Sequence, residues 1–79
     1  MSALLRVPDL DLPGVSVRVS AWHVAVGQRV AEGERVVELT AGDVTIDLPA
    51  PVSGVLIQHC ANVDLPLVAG QTLARFRPQ

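Results

Sequence analysis

The stretch from Val36 to Pro51, V-V-E-L-T-A-G-D-V-T-I-D-L-P-A-P, reads as a β-hairpin that turns at Ala41-Gly42-Asp43. On its first arm Val37 and Leu39 alternate with Glu38 and Thr40. On its second, Val44, Ile46 and Leu48 alternate with Thr45 and Asp47. A period of two marks strands with one buried and one wet face. Gly42 can take the positive φ that a tight hairpin turn asks for. Pro49 and Pro51 close the second arm, because each fixes its own φ and drives the residue before it away from the helical region.

Short strands flank this hairpin on both sides. Residues 3–7, A-L-L-R-V, form one that stops at Pro8, and D-L-D-L-P-G from Asp9 to Gly14 is a loop closed by a Pro-Gly turn. Val15, Val17, Val19 and Ala21 alternate with Ser16, Arg18 and Ser20 up to Trp22. The near-identical pieces A-V-G-Q-R-V and A-E-G-E-R-V predict two tight turns, each followed by a buried Val. Beyond the hairpin, Val52-Ser53-Gly54 turns into the strand V-L-I-Q-H-C. Asn62 to Pro66 is a loop, Gly70-Gln71 a turn, and L-A-R-F the last strand.

Sliding the chain against itself by 37 positions superposes Val30 on Leu67, Gly33 on Gly70, Glu34 on Gln71, Val36 on Leu73 and Leu39 on Phe76. Two equivalent halves of short strands predict an all-β, pseudo-two-fold sandwich or flattened barrel, each half contributing to both sheets. The hairpin tip then lies at one end and the two termini meet at the other.

Composition agrees with this class. The 79 residues are read as a single domain, 1–79, whose core must be built from 14 Val, 10 Leu and 2 Ile, with one Trp, one Phe and no Tyr. Such a chain buries about 60% of its unfolded surface. A net charge of −2 and a pI near 5.4 leave no basic footprint for nucleic acid or an anionic membrane. All six positive side chains are arginines, at 6, 18, 29, 35, 75 and 77, and there is no lysine. The lone Cys60 cannot form an internal disulfide, and no apolar run suits a signal peptide or membrane span, so a reducing, cytoplasmic setting is expected.

Four pieces carry a resemblance: V-P-D-L at Val7–Leu10, W-H-V-A-V-G-Q-R-V-A-E-G-E at Trp22–Glu34, T-I-D-L-P-A-P-V-S-G-V at Thr45–Val55, and A-G-Q-T-L-A-R-F at Ala69–Phe76. From Val7 to Phe76 the chain resembles a lipoyl domain of the 2-oxo acid dehydrogenase acyltransferases, within the biotinyl/lipoyl carrier family. The resemblance implies a barrel-sandwich hybrid of two four-stranded antiparallel sheets. It also implies a lysine at the hairpin tip, inside D-K-A or M-K-M, to which a ligase attaches the cofactor arm. The ungapped match sets Gly42, Asp43 and Val44 where Asp-Lys-Ala would stand. Asp43 cannot form the amide, because a carboxylate ionised above about pH 4 is not an amine nucleophile. Neither a lipoyl nor a biotinyl cofactor is therefore expected.

The resemblance thus leads to a non-catalytic accessory or protein-interaction domain, docking on a dehydrogenase-type or ligase-type partner. Asp9, Asp11, Asp43 and Asp47 form its candidate recognition surface, against the plainer reading of Gly42-Asp43 as an ordinary exposed turn. One alternative is a carrier that uses Cys60 as its attachment residue, and another is a structural subunit of a larger complex. His23, His59 and Cys60 lack the spacing of a zinc site, so no metal is expected. Ser16, Ser20 and Ser53 have no nucleophile-elbow context, and Glu32, Glu34 and Glu38 read as a solvated edge. Gly27, Gly33, Gly54 and Gly70 are turn residues rather than a phosphate cradle. No catalytic residues emerge.

Overall fold

Alternating apolar and polar residues set strand after strand along the chain: β1 (Ala3–Arg6), β2 (Val17–Trp22), β3 (Arg29–Val30), β4 (Arg35–Ala41), β5 (Val44–Pro49), β6 (Gly54–His59), β7 (Pro66–Leu67) and β8 (Thr72–Pro78). A computed structural model describes residues 1–79. The strands make two four-stranded sheets, ordered β1-β8-β6-β3 and β5-β4-β2-β7, with every neighbouring pair antiparallel. Exchanging β1 with β5, β2 with β6, β3 with β7 and β4 with β8 turns one order into the other, so the predicted pseudo-two-fold sandwich is present.

The core obeys the same exchange. Its buried cluster of 16 residues divides into mates: Val19 with Leu56, Val24 with Ala61, Val30 with Leu67, Val36 with Leu73, Val37 with Ala74 and Leu39 with Phe76, all 37 apart in sequence. Leu5 with Leu48 and Val7 with Ala50 complete it, but these pairs are 43 apart. The difference lies in the connections. Residues 7–16 join β1 to β2, whereas only residues 50–53 join β5 to β6.

One local device recurs three times. In Ala25–Gln28, Ala31–Glu34 and Val68–Gln71 the last N–H donates to the first carbonyl, at 3.0, 3.0 and 3.1 Å. The last side chain's Oε1 in turn accepts from the first N–H, at 3.2, 3.2 and 3.1 Å. The repeated x-x-Gly-Gln/Glu spelling is thus a turn closed from both sides, and Glu34, while exposed as expected, also caps a turn. Regular alternation fails once in the hairpin. The β4–β5 register shifts between Arg35 and Val37, and both Val36 and Val37 are fully buried. Such a bulge adds one residue to one strand and lets two successive side chains enter the core.

Two contacts have no counterpart in the apolar pattern. Trp22 and His59, themselves mates, stack with ring centroids 4.0 Å apart and planes inclined by 15°. Trp22 Nε1 donates to Ala61 O at 3.3 Å and His59 Nε2 bonds Val24 O at 2.9 Å, so each ring reaches the carbonyl two positions beyond the other. A carbonyl only accepts, which places a hydrogen on His59 Nε2. The second contact is a close approach of backbone. A Cβ on Gly54 would lie 2.1 Å from Arg77 O, closer than any side chain tolerates.

Gly54→Ala should therefore force β6 and β8 apart and lower stability by about 2–3 kcal/mol in urea titration, the range of an overpacked core. An unchanged midpoint would mean the two strands separate freely there. His59→Ala should red-shift the emission of the single Trp22 and lower stability by about 1 kcal/mol, typical of an aromatic pair.

Candidate functional site

Ala41 pairs with Val44, which leaves Gly42 and Asp43 as a two-residue loop. Gly42 has φ of 61° and Asp43 is not in the positive-φ region, the signature of a type II′ turn with glycine first. Gly42, Asp43 and Val44 are all exposed, so the tip is presented to solvent on two paired strands.

The β1–β2 connection leans on this tip. A Cβ on Gly42 would stand 3.5 Å from Val15 Cγ1. Val17, at the start of β2, pairs with Ala41 on one side and with Leu67 on the other, so tip, connection and β7 share one end of the sheet. The connection is folded on itself. The Asp11 N–H donates to Asp9 Oδ1 at 2.9 Å and steadies Asp11 at a φ of 52°, a conformation that aspartate tolerates better than most side chains. Val15 N–H then donates to Leu12 O across Pro13-Gly14 at 3.2 Å. Beneath it lies an open cavity of about 170 Å³ with Val7, Leu10, Leu12, Val15, Val17 and Leu67 among its walls and Asp9 and Asp11 beside them.

Of the four aspartates expected to form one surface, Asp9 and Asp11 line the cavity, and Asp43 is exposed on the tip. Asp47 stands apart, four residues along β5 and so about 13 Å from Asp43. It faces Glu38 directly across the hairpin. Two carboxylates in register repel. Neighbouring donors answer them: His23 Nε2 lies 2.9 Å from Asp47 Oδ1, Arg35 Nη1 donates to Asp47 Oδ2 at 3.4 Å, and Ser20 Oγ donates to Glu38 Oε1 at 2.7 Å. The hydrogen bond from His23 holds the Asp47 carboxyl below its ordinary value against the opposing effect of burial, helped by the charge of His23 and by the hydrogen bond and charge of Arg35.

His23, Glu38 and Asp47 bring their ligand atoms within 4.8 Å of one another, a trio absent from the sequence reading. The spacing alone could not reveal it, since the trio joins the residue after β2 to strands β4 and β5. The arginine at Asp47 and the hydroxyl at Glu38 already serve its oxygens. The histidines do not converge on Cys60. His23 is turned to Asp47 and His59 to Val24 O, while Cys60 is half-buried with its N–H donated to Leu73 O at 2.7 Å.

Residues 4–76 match the family model for the biotin/lipoyl domain, described as "Biotin-requiring enzyme". Among similar proteins, the dihydrolipoyllysine-residue succinyltransferase component of the 2-oxoglutarate dehydrogenase complex of Bartonella vinsonii is 36% identical over 62 residues, 78% of this chain and 15% of that protein. The lipoamide acyltransferase component of the branched-chain alpha-keto acid dehydrogenase complex of Pseudomonas aeruginosa is 30% identical over 73 residues, 92% of this chain and 17% of that protein. The dihydrolipoyllysine-residue acetyltransferase component of the pyruvate dehydrogenase complex of Mycobacterium tuberculosis is 32% identical over 70 residues, 89% of this chain and 13% of that protein. The chain thus spans between 13% and 17% of the length of these relatives.

A carboxyl held below its unfolded value contributes stability above that value, 3.8, and the contribution is lost as pH falls through the lowered, folded one. The urea midpoint of the wild type should accordingly fall on acidification below about pH 4, with a smaller fall in Asp47→Asn. Parallel acid profiles for the two chains would remove the ion pair from the account.

Proposed function

The chain belongs to the biotin/lipoyl carrier-domain family, and from that premise we propose that it is a lipoyl-like domain whose attachment position has been given up. It is related to the acyltransferase components of 2-oxo acid dehydrogenase complexes. Its work is that of a non-catalytic interaction or accessory module beside a dehydrogenase-type or ligase-type enzyme.

The observation that carries this reading is an exposed, two-residue tip with Asp43 at its apex in a chain without a single lysine. A cofactor carboxyl is joined to protein through an amine. Asp43 offers a carboxylate, and the guanidinium groups of the six arginines stay protonated and are not nucleophiles at neutral pH. The tip keeps the exposed, strand-paired position that would display an arm, so what is missing is the reacting group rather than its mounting. Attachment through Cys60 is the weaker rival, because that thiol is half-buried just past the end of β6 rather than displayed on a hairpin tip.

Co-expression with a lipoyl ligase and, separately, a biotinyl ligase should leave the intact mass of the wild-type chain unchanged. The double variant Gly42→Asp/Asp43→Lys should gain one cofactor mass from the lipoyl ligase. A cofactor mass on the wild type would overturn the proposal, and a variant that folds yet stays unmodified would show that more than the amine has been lost.

A further inference from the structure

We propose that the cavity under the β1–β2 connection receives one large apolar side chain of a protein partner, presented by an extended segment that carries Arg or Lys on either side. This rests on the reading of the chain as an interaction module and names the chemistry of what it binds.

Three observations converge on that occupant. The first is size. At about 170 Å³ the cavity is smaller than the roughly 300–1,000 Å³ of small-molecule sites but close to the ~150 Å³ void that admits a benzene ring, so one Leu, Ile, Met or Phe side chain fits. The second is lining. Seven of its ten wall residues are hydrophobic, and two of them, Leu12 and Val15, are 41% and 38% exposed, apolar surface that a folded chain gains nothing by displaying.

The third is charge. Asp9 and Asp11 stand in the wall, and neither forms an ion pair within the chain. The arginines of this end are turned elsewhere, Arg6 to Gly70 O and Arg18 to Asp64 O. Two unneutralised carboxylates in an otherwise apolar wall favour a cation flanking the inserted side chain and disfavour an acidic segment. The cavity also sits where the two halves of the fold differ, in the connection that runs from 7 to 16 against 50–53 in the other half. Symmetric packing of the core does not require those extra residues.

The test is an NMR titration of the ¹⁵N-labelled 79-residue chain with three peptides, acetyl-GRLRG-amide, acetyl-GRARG-amide and acetyl-GELEG-amide. With the first, amides of Val7–Val17, Leu67 and Ala69 should shift saturably. Replacing Leu by Ala should weaken binding about tenfold, the effect of losing most of one buried aliphatic side chain. The acidic peptide should fail, and raised salt should weaken the first. Ala69→Leu, at an exposed wall position, should fill the cavity and abolish binding while strand amides stay in place. Asp9→Asn/Asp11→Asn keeps the Oδ1 acceptor of the loop and should remove the salt dependence.

Absence of saturable shifts with GRLRG, equal binding of GRARG, or binding that survives Ala69→Leu would overturn the proposal. So would shifts of the same amides on concentrating the chain without peptide, which would give the cavity to a second copy. A cofactor mass on the wild-type chain would instead remove the interaction-module reading and leave the titration result standing.

Discussion

Eight apolar side chains from each half of this chain meet in one core, and neither half could bury its eight alone. A segment of fewer than 40 residues has too much surface for its volume to be stable by itself. The solution is interleaving: each sheet takes two strands from one half and two from the other. Every core residue then has a mate, from Val19 with Leu56 to Leu39 with Phe76, and the reciprocal reach of Trp22 and His59 fastens the two halves near their common axis. Gly54 belongs to the same constraint. A side chain there would collide with the backbone of β8 and open the sheet to which both halves contribute.

Since the core is satisfied symmetrically, the departures from symmetry are where this domain can differ from a mere scaffold. Three of them gather around the hairpin. The β1–β2 connection is six residues longer than its counterpart and roofs a cavity. The tip formed by Ala41 to Val44 corresponds in the other half to the place where the two termini run side by side, so a closed turn stands opposite open chain ends. The rung Glu38–Asp47 has Arg75–Leu4 as its mate, and only the first draws in outside hydrogen-bond donors, which His23, Arg35 and Ser20 supply. The charged rung sits on the strand face, away from the tip, which is why Asp47 serves the sheet while Asp43 faces solvent.

The tip separates two things that a carrier domain joins, the mounting and the reacting group. Its type II′ geometry depends on Gly42 and on strand pairing, both of which are present. Amide formation depends on an amine, and no side chain of the chain supplies one. On the function proposed, the surface that would position an arm for partner enzymes is retained for recognition alone, with apolar contact and acidic charge in place of covalent cargo.

The sequence by itself determined the all-β class, the hairpin and its turn, the two halves and the tight turns at Gly27, Gly33 and Gly70, because these depend on local pattern and on repetition along the chain. It also established the absence of lysine. It did not reveal that Val36 and Val37 are both buried, since a bulge changes register without changing composition. Nor did the constant offset of 37 expose the longer β1–β2 connection, for Leu5 and Val7 find their mates only once strands are paired. Which aspartates stand together was decided by the tertiary structure alone. Asp9 and Asp11 stand together in the β1–β2 connection, which reaches the tip at Gly42 through Val15 because Val17 ties β4 and β7 to one end of the sheet, whereas Asp47, near Asp43 in sequence, is drawn away by strand extension and by His23.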